Sequence, residues 1–346
     1  MKKSIVALAV LSSVAGTAFA QSSVTLFGVM DVAARYTKAG GQTLSSLASD
    51  GQLSSRLGVR GVEDLGGGMK ANFWLESALA VDNGVAGDQT TSPTKLWNRR
   101  STVGLTGDFG EIRLGRDKTS ERNLVDEFDV FGGLGLGDVT KLYSAMGAPV
   151  AFGSNNRTDN EVRYFLPNNL GGFYGSVDVA AGEGTVGQKS YGGRFGYKQG
   201  PLHVSAAAQV IYLQNNGPKF GQGSVAGTYD FGIVKAGVML TELKTNGRKE
   251  TVWTINGSIP VGDSGTIKLS YSDANANTAA ENAKAAYDAN LISAQFVYKL
   301  SKRTQLYTTV SKIDNKGAGK FALNSSPAVY AGGGSGGFEV GMTHSF

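Results

Sequence analysis

The strongest constraint on this chain is the rhythm of its breaks, because short turns and long polar segments take turns along most of its length. The short breaks fall at 63–67, 107–110, 168–172, 199–201, 230–232, 262–265 and 301–303, and all but the last contain Gly, Asn or Asp. Such residues accept the positive φ of a hairpin turn. The long breaks fall near 37–50, 81–95, 118–157, 183–189, 214–221, 243–250, 274–288 and 314–334. Seven short and eight long breaks separate about 16 strands, an even number that leaves both chain ends on the short-turn side.

The segments between breaks alternate in polarity. Val24, Leu26, Gly28 and Met30 share one parity; Leu53, Leu57 and Val59 oppose Ser54, Arg56, Gly58 and Arg60; Met69, Ala71, Phe73 and Leu75 oppose Lys70, Asn72, Trp74 and Glu76. A period of two gives each strand one dry and one wet face. About 16 hairpin-linked strands make a sheet too wide to stay open, and closure removes its edges. With the dry face outward in lipid, a closed barrel is the only sheet that satisfies every backbone group. Arg56, Arg60, Lys70 and Glu76 then face inward, which suits a water-filled bore better than a packed core. The reading is an all-β fold: a 16-stranded antiparallel transmembrane β-barrel.

The N-terminus fits export to such a site. Met1-Lys2-Lys3 is a positive start, Ile5 to Ala15 a short apolar core, and Ala18-Phe19-Ala20 a small-residue cleavage site. Ser12, Ser13 and Thr17 interrupt the run, which is too short for an anchor. Residues 1–20 are therefore expected to be a cleaved leader and 21–346 a single barrel domain. With no Cys and only His203 and His344, disulfides, a metal centre or a cofactor site are not expected. The formal charge is +5, or +3 without Lys2 and Lys3, too mild and too evenly spread for a nucleic-acid partner.

One stretch breaks the rhythm. From Asp117 to Asp159 the alternation stops, and no convincing strand or long amphipathic helix replaces it. A loop of this length in a compact domain implies a function. It gathers Asp117, Glu121, Asp126, Glu127, Asp129 and Asp138 around Phe131-Gly132-Gly133, with Arg113, Arg116, Arg157 and Arg163 near its ends. The expectation is that this long third loop folds into the bore and sets its width and charge.

The last strand, Gly337 to Phe346, puts Phe338, Val340, Met342 and Phe346 on one parity and ends on an aromatic. At this point the sequence resembles the trimeric 16-stranded general porins of the Gram-negative outer membrane, especially the β-proteobacterial type. The resemblance runs through Ser23-Val24-Thr25-Leu26-Phe27-Gly28, Ser55-Arg56-Leu57-Gly58-Val59-Arg60-Gly61, Glu63-Asp64-Leu65-Gly66-Gly67-Gly68, Val103-Gly104-Leu105 and Leu114-Gly115-Arg116. It implies passive diffusion of small hydrophilic solutes and ions, a homotrimer and contact with outer-membrane lipid and lipopolysaccharide. It also implies recognition of Phe338, Val340, Met342 and Phe346 by the barrel-assembly machinery.

By motif the resemblance places Arg56, Arg99 and Arg157 on the wall of a constriction, facing loop acids Asp126 and Asp129. Strand parity supports Arg56 and Arg60 independently. It allows one of Arg99 and Arg100 to face inward, and the motif selects Arg99. The loop's Asp129-Val130 replaces a Pro-Glu frequent in the family. Weakly hydrated guanidinium groups stand close together readily, and a ring of them favours anions.

Two rival functions can be stated. A solute-selective channel would need an aromatic track, which Trp74, Tyr143 or Phe152 could begin. An outer-membrane enzyme would need partners for His203 or His344, and none is evident in sequence. Gly333-Gly334-Ser335-Gly336-Gly337 matches a nucleophile elbow but has no helix after it. Thr278-Ala279-Ala280-Glu281 resembles a capping box opening a turn or two of helix.

Overall fold

The computed structural model describes residues 23–89, 94–148, 156–184, 189–213 and 218–346; the expected leader and Phe152 lie outside them. Its strands form one closed antiparallel barrel of sixteen. Closure is made by Ser23–Ala39 against Gly334–Ser345, in register from Val29 opposite Ser345 to Ala39 opposite Ser335. The second wall strand comes in two pieces, Gln42–Ser49 and Arg56–Gly66, which pair with the upper and lower halves of the first. A two-residue arm, Val85–Ala86, pairs only with the end of Met69–Ala80.

Alternation explains the wall. Along Leu202–Tyr212, His203, Ser205, Ala207, Gln209 and Ile211 are buried, while the residues between them face out. The outward set includes Val24, Leu26, Phe73, Val225, Ile255, Phe338, Val340 and Met342. Phe346 is also exposed.

Several expected boundaries shift, each for a local reason. The strand expected from Leu53 starts at Arg56, because residues 50–55 leave the ladder to surround Asp31. The Asp31 carboxylate accepts the backbone N–H of Gly51, Gln52 and Leu53 at 2.8, 3.2 and 2.9 Å and the Tyr307 hydroxyl at 2.7 Å. Two of the expected long loops, 37–50 and 243–250, are two-residue turns. Gly40-Gly41 and Asn246-Gly247 have positive φ at both positions, which matches the twist of the flanking strands and lets them run on. At Thr278–Asn282 (α2) the cap is Asn277, one residue earlier than expected; its side chain accepts the N–H of Ala280 at 2.9 Å.

Candidate functional site

The segment after Gly110–Lys118 contains a helix that sequence reading missed. Ser120–Phe128 (α1) is capped by Thr119, whose hydroxyl accepts the Arg122 N–H at 3.1 Å. A nine-residue helix is marginal alone, so packing must hold it. Leu124, Val125 and Phe128 join one buried cluster with Ala207, Ile211, Ala226 and Met239 of the inner wall. Short 3₁₀ turns at Gly135–Gly137 and Val139–Leu142 follow. Leu136, Val139, Leu142 and Met146 extend the same cluster to Val252, Leu291 and Ile313. Burying such a side chain contributes about 1.5–3 kcal/mol. Half of the inner wall is therefore a packed core, not the uniformly wet lining expected from parity.

Polar anchors complete the docking. Glu121, fully buried on α1, accepts the Ser224 hydroxyl at 2.6 Å and the Gln222 amide at 3.4 Å. Burial pushes its carboxyl up to about 8. Asn256 donates to the Phe128 carbonyl at 2.9 Å, and Asn324 to that of Gly135 at 2.7 Å. Asp129, expected to face the bore, is among the residues that line the larger bore cavity but is almost wholly buried. Its carboxylate accepts the Gly133 N–H at 2.7 Å, and burial pushes its pKa up to about 7. The missed signal was the Thr119 cap with Leu124, Val125 and Phe128 at helical spacing.

The space left between this segment and the opposite wall forms two cavities of about 950 and 660 Å³. Arg56, Arg99, Lys118, Glu127 and Arg157 line both, so they mark the passage between them. Arg157 Nε donates to the Arg99 carbonyl at 2.8 Å, and Arg99 pairs with Glu76 at 2.6 Å. Glu127 pairs with Arg194 and stands 3.5 Å from His203. Asp126 lines the larger cavity but is held by Lys118 at 2.5 Å and Arg122 at 2.6 Å. Burial alone would raise its pKa; Arg122 and Lys118 outweigh that and keep it below the usual carboxylate range.

Arg99 and Arg100 both reach the lumen, because Arg99 precedes the strand Arg100–Gly107 and escapes its parity. Arg60 is inward but stands apart from the passage, over the rings of Phe27 and Trp74 at 5.2 and 5.0 Å. Arg100 lies 4.5 Å from the Trp74 ring, which is thus shared by two guanidinium groups. Arg100, Arg113 and Arg194 line the smaller cavity; the hairpin at 107–110 fixes the parity that would have found the first two. Neither Lys118 nor Glu127 is singled out for the throat by sequence, where Glu127 is one of several loop acids. Tyr143 is buried, with its hydroxyl 3.1 Å from Thr241. His203 meets the Tyr174 hydroxyl at 2.7 Å, and His344 meets Thr304 at 2.9 Å.

Residues 7–318 match the family described as Gram-negative porin. Outer membrane porin protein 32 of Delftia acidovorans is 36% identical, with all of both chains covered. An outer membrane porin protein of Bordetella pertussis is 25% identical over 91% of this chain and 95% of its own. Among solved structures, an anion-selective porin from Comamonas acidovorans superposes with a TM-score of 0.83 at 31% identity, covering 94% of this chain and all of the other.

Proposed function

The chain belongs to the Gram-negative porin family, outer-membrane channel proteins, and we propose that its barrel passes small hydrophilic solutes and ions by passive diffusion with a preference for anions. The observation that carries the preference is the composition of the passage between the two cavities. Arg56, Arg99, Arg157 and Lys118 gather there with Glu127, which is paired with Arg194; Arg99 is paired with Glu76 and Lys118 with Asp126, so Arg56 and Arg157 have no carboxylate partner among the described residues. The loop acid Asp126 is committed to Lys118 and Arg122. The similar anion-selective porin from Comamonas acidovorans supports the same sign.

Fixed cations in a narrow, low-dielectric throat raise the local anion concentration. Two unit charges about 4 Å apart interact by about 4 kcal/mol at an effective dielectric near 20. A fraction of that suffices, since about 1.4 kcal/mol is a tenfold ratio. The test is the zero-current potential across a KCl gradient for wild type and for Arg56→Ser, Arg99→Ser and Arg157→Ser. The reading requires an anion-selective wild type and a shift towards cations in each variant. A cation-selective wild type would overturn it.

The same reading covers biogenesis and assembly. Residues 1–20 serve as the exported leader, the strand ending in Phe346 as the signal to the assembly machinery, and lipopolysaccharide as the surrounding lipid. The functional unit is a homotrimer, with the loop near Val81 to Lys95 reaching over a neighbour. Only monomers on cross-linking of detergent-purified protein would refute the trimer.

A further inference from the structure

Tyr307 reaches across the strand that closes the barrel. It stands on the inner face of Thr304–Asn315, opposite Gly341 of Gly334–Ser345. Its ring lies over Gly341, in the space a side chain there would fill. Ala33, which faces Gly341 from the first strand, packs against the ring together with Val297. The hydroxyl therefore passes beyond the last strand and donates to Asp31 of the first at 2.7 Å. It ends against Gly51, another position with no room for a side chain. Two glycines thus give one phenol its path from the penultimate strand to the residues that follow Ser49.

Residues 50–55, gathered around Asp31, form a shelf on the inner wall, and Gln52, Leu53 and Ser54 line the larger cavity. Besides the three N–H groups on its carboxylate, Asp31 exchanges two bonds of 3.0 Å with Ser55 through its backbone. Asp50 closes the shelf by accepting the Ser55 N–H at 2.6 Å. Two contacts leave the shelf for the throat. The Ser54 carbonyl accepts the Arg56 guanidinium at 3.2 Å. The Asp50 carbonyl accepts the Gly135 N–H, at the loop tip, at 3.1 Å. Gly135 has a φ of 63°, and a side chain there would run into the Gly51 carbonyl. The tip therefore rests directly on the shelf backbone. Asp50, Gly133 and Leu134 also line a third cavity of about 360 Å³, with Asp82 and Asn324 of the long loops. Tip and shelf meet at the border between that approach and the larger cavity.

We propose that Tyr307 and Asp31 are positioning residues that set the largest solute the channel admits. The inference rests on the diffusion reading given above and names what fixes its size limit. Neither residue touches the passing solute; both act through the shelf. The Asp31 oxygen that accepts the phenol has one other donor, the Gly51 N–H. Without the phenol a buried carboxylate oxygen is left short of donors, which is costly, and the shelf must shift to satisfy it. The Asp50 carbonyl then leaves Gly135, and the Ser54 carbonyl leaves Arg56. Leu124 and Phe128 keep α1 on the far wall, so the tip gives way and not the whole loop.

The test is swelling of liposomes carrying the full chain in uncharged sugars from mono- to tetrasaccharide. Tyr307→Phe keeps the ring over Gly341 and removes only the hydroxyl; Gly51→Ala pushes the hydroxyl aside and opens the clasp a second way. In both, the trisaccharide rate relative to the monosaccharide rate should rise severalfold. The zero-current potential of each should move in the direction of Arg56→Ser. Gly135→Ala, which displaces the tip and leaves the clasp alone, should widen the pore alike. Tyr307→Phe/Gly135→Ala should add nothing further, because both changes act on one contact. Unchanged size ratios in Tyr307→Phe and Gly51→Ala would overturn the proposal, as would additive widening in the double variant. So would a lower unfolding temperature with the size ratios kept, which would make the clasp a strut of the wall alone. A wild type whose swelling ignores solute size would overturn the diffusion reading, and this inference with it.

Discussion

Phe346 and Gly28 close the barrel together: their backbones exchange two hydrogen bonds, of 3.0 and 3.1 Å, and the Phe346 ring covers the space a side chain at position 28 would occupy. The terminal aromatic is therefore both the end of the last strand and a lid on the first.

These two roles can be separated. Deleting Phe346 should reduce the amount of protein in the outer membrane several-fold, read by fractionation and immunoblot. Gly28→Leu keeps the terminal residue but displaces its ring, a form of overpacking that costs about 1–3 kcal/mol. It should insert normally and lose its heat-modifiable mobility at a temperature several degrees lower. Normal levels of the Phe346 deletion, even when overexpressed, would show that the residue is not an assembly signal.

The two loop acids expected at the throat should differ. Asp126→Asn releases Lys118 and Arg122 into the larger cavity, so the chloride-to-potassium permeability ratio should rise about twofold or more. Asp129→Asn should leave the ratio unchanged, because its carboxylate serves the Gly133 turn. Equal shifts in the zero-current potential would contradict this assignment.

Phe128→Ala should loosen the loop without opening the barrel. Truncating a buried Phe costs about 3–5 kcal/mol, here drawn from the cluster that pins α1. The expected signs are greater open-channel noise and faster proteolysis between residues 118 and 157, with heat-modifiable mobility largely kept.

The helix docking should weaken as pH rises from about 4.5 to about 8. Burial raises the Glu121 carboxyl to about 8 against an ordinary value of 4.5. A carboxyl raised in the folded state favours the protonated form. Its stabilisation is thus full below about pH 4.5, declines by about 1.4 kcal/mol per unit above that, and is gone past about pH 8. Hydrogen exchange of α1 amides, corrected for intrinsic rates, should show protection falling from pH 6 to pH 9 in wild type. Glu121→Gln should flatten that dependence; a wild type already independent of pH would refute the sign.

The barrel was legible because its two signals, parity and the alternation of breaks, are local and repeated in every strand. Six of the seven short turns lie where Gly, Asn or Asp occur; the exception is Ser301-Lys302-Arg303. What sequence obscured depended on partners far along the chain. Asp31 draws residues 50–55 out of the ladder through contacts that no window around Leu53 contains. Apolar residues such as Ala207, Met239 and Leu291 break the polar inner parity expected of a water-filled bore, and only the loop packed on them shows why. The throat was half legible: Arg56 follows from parity, whereas Arg99 lies just before its strand, where parity has no say. Asp126 and Asp129 look alike in sequence and differ entirely in what surrounds them.

Because α1 and the turns after it are fastened to one side of the wall, the barrel divides its tolerance for change. On the fastened side a substitution at Ile211, Met239 or Leu291 alters the fit of the loop, so drift there is held in check by folding. On the open side Arg56, Arg100 and Arg113 stand on strands the loop core does not need, so new charges can be tried without disturbing the scaffold. Variants of this chain that differ in what they admit should therefore carry their changes on the strands between Arg56 and Phe165, while the side facing α1 keeps its apolar residues.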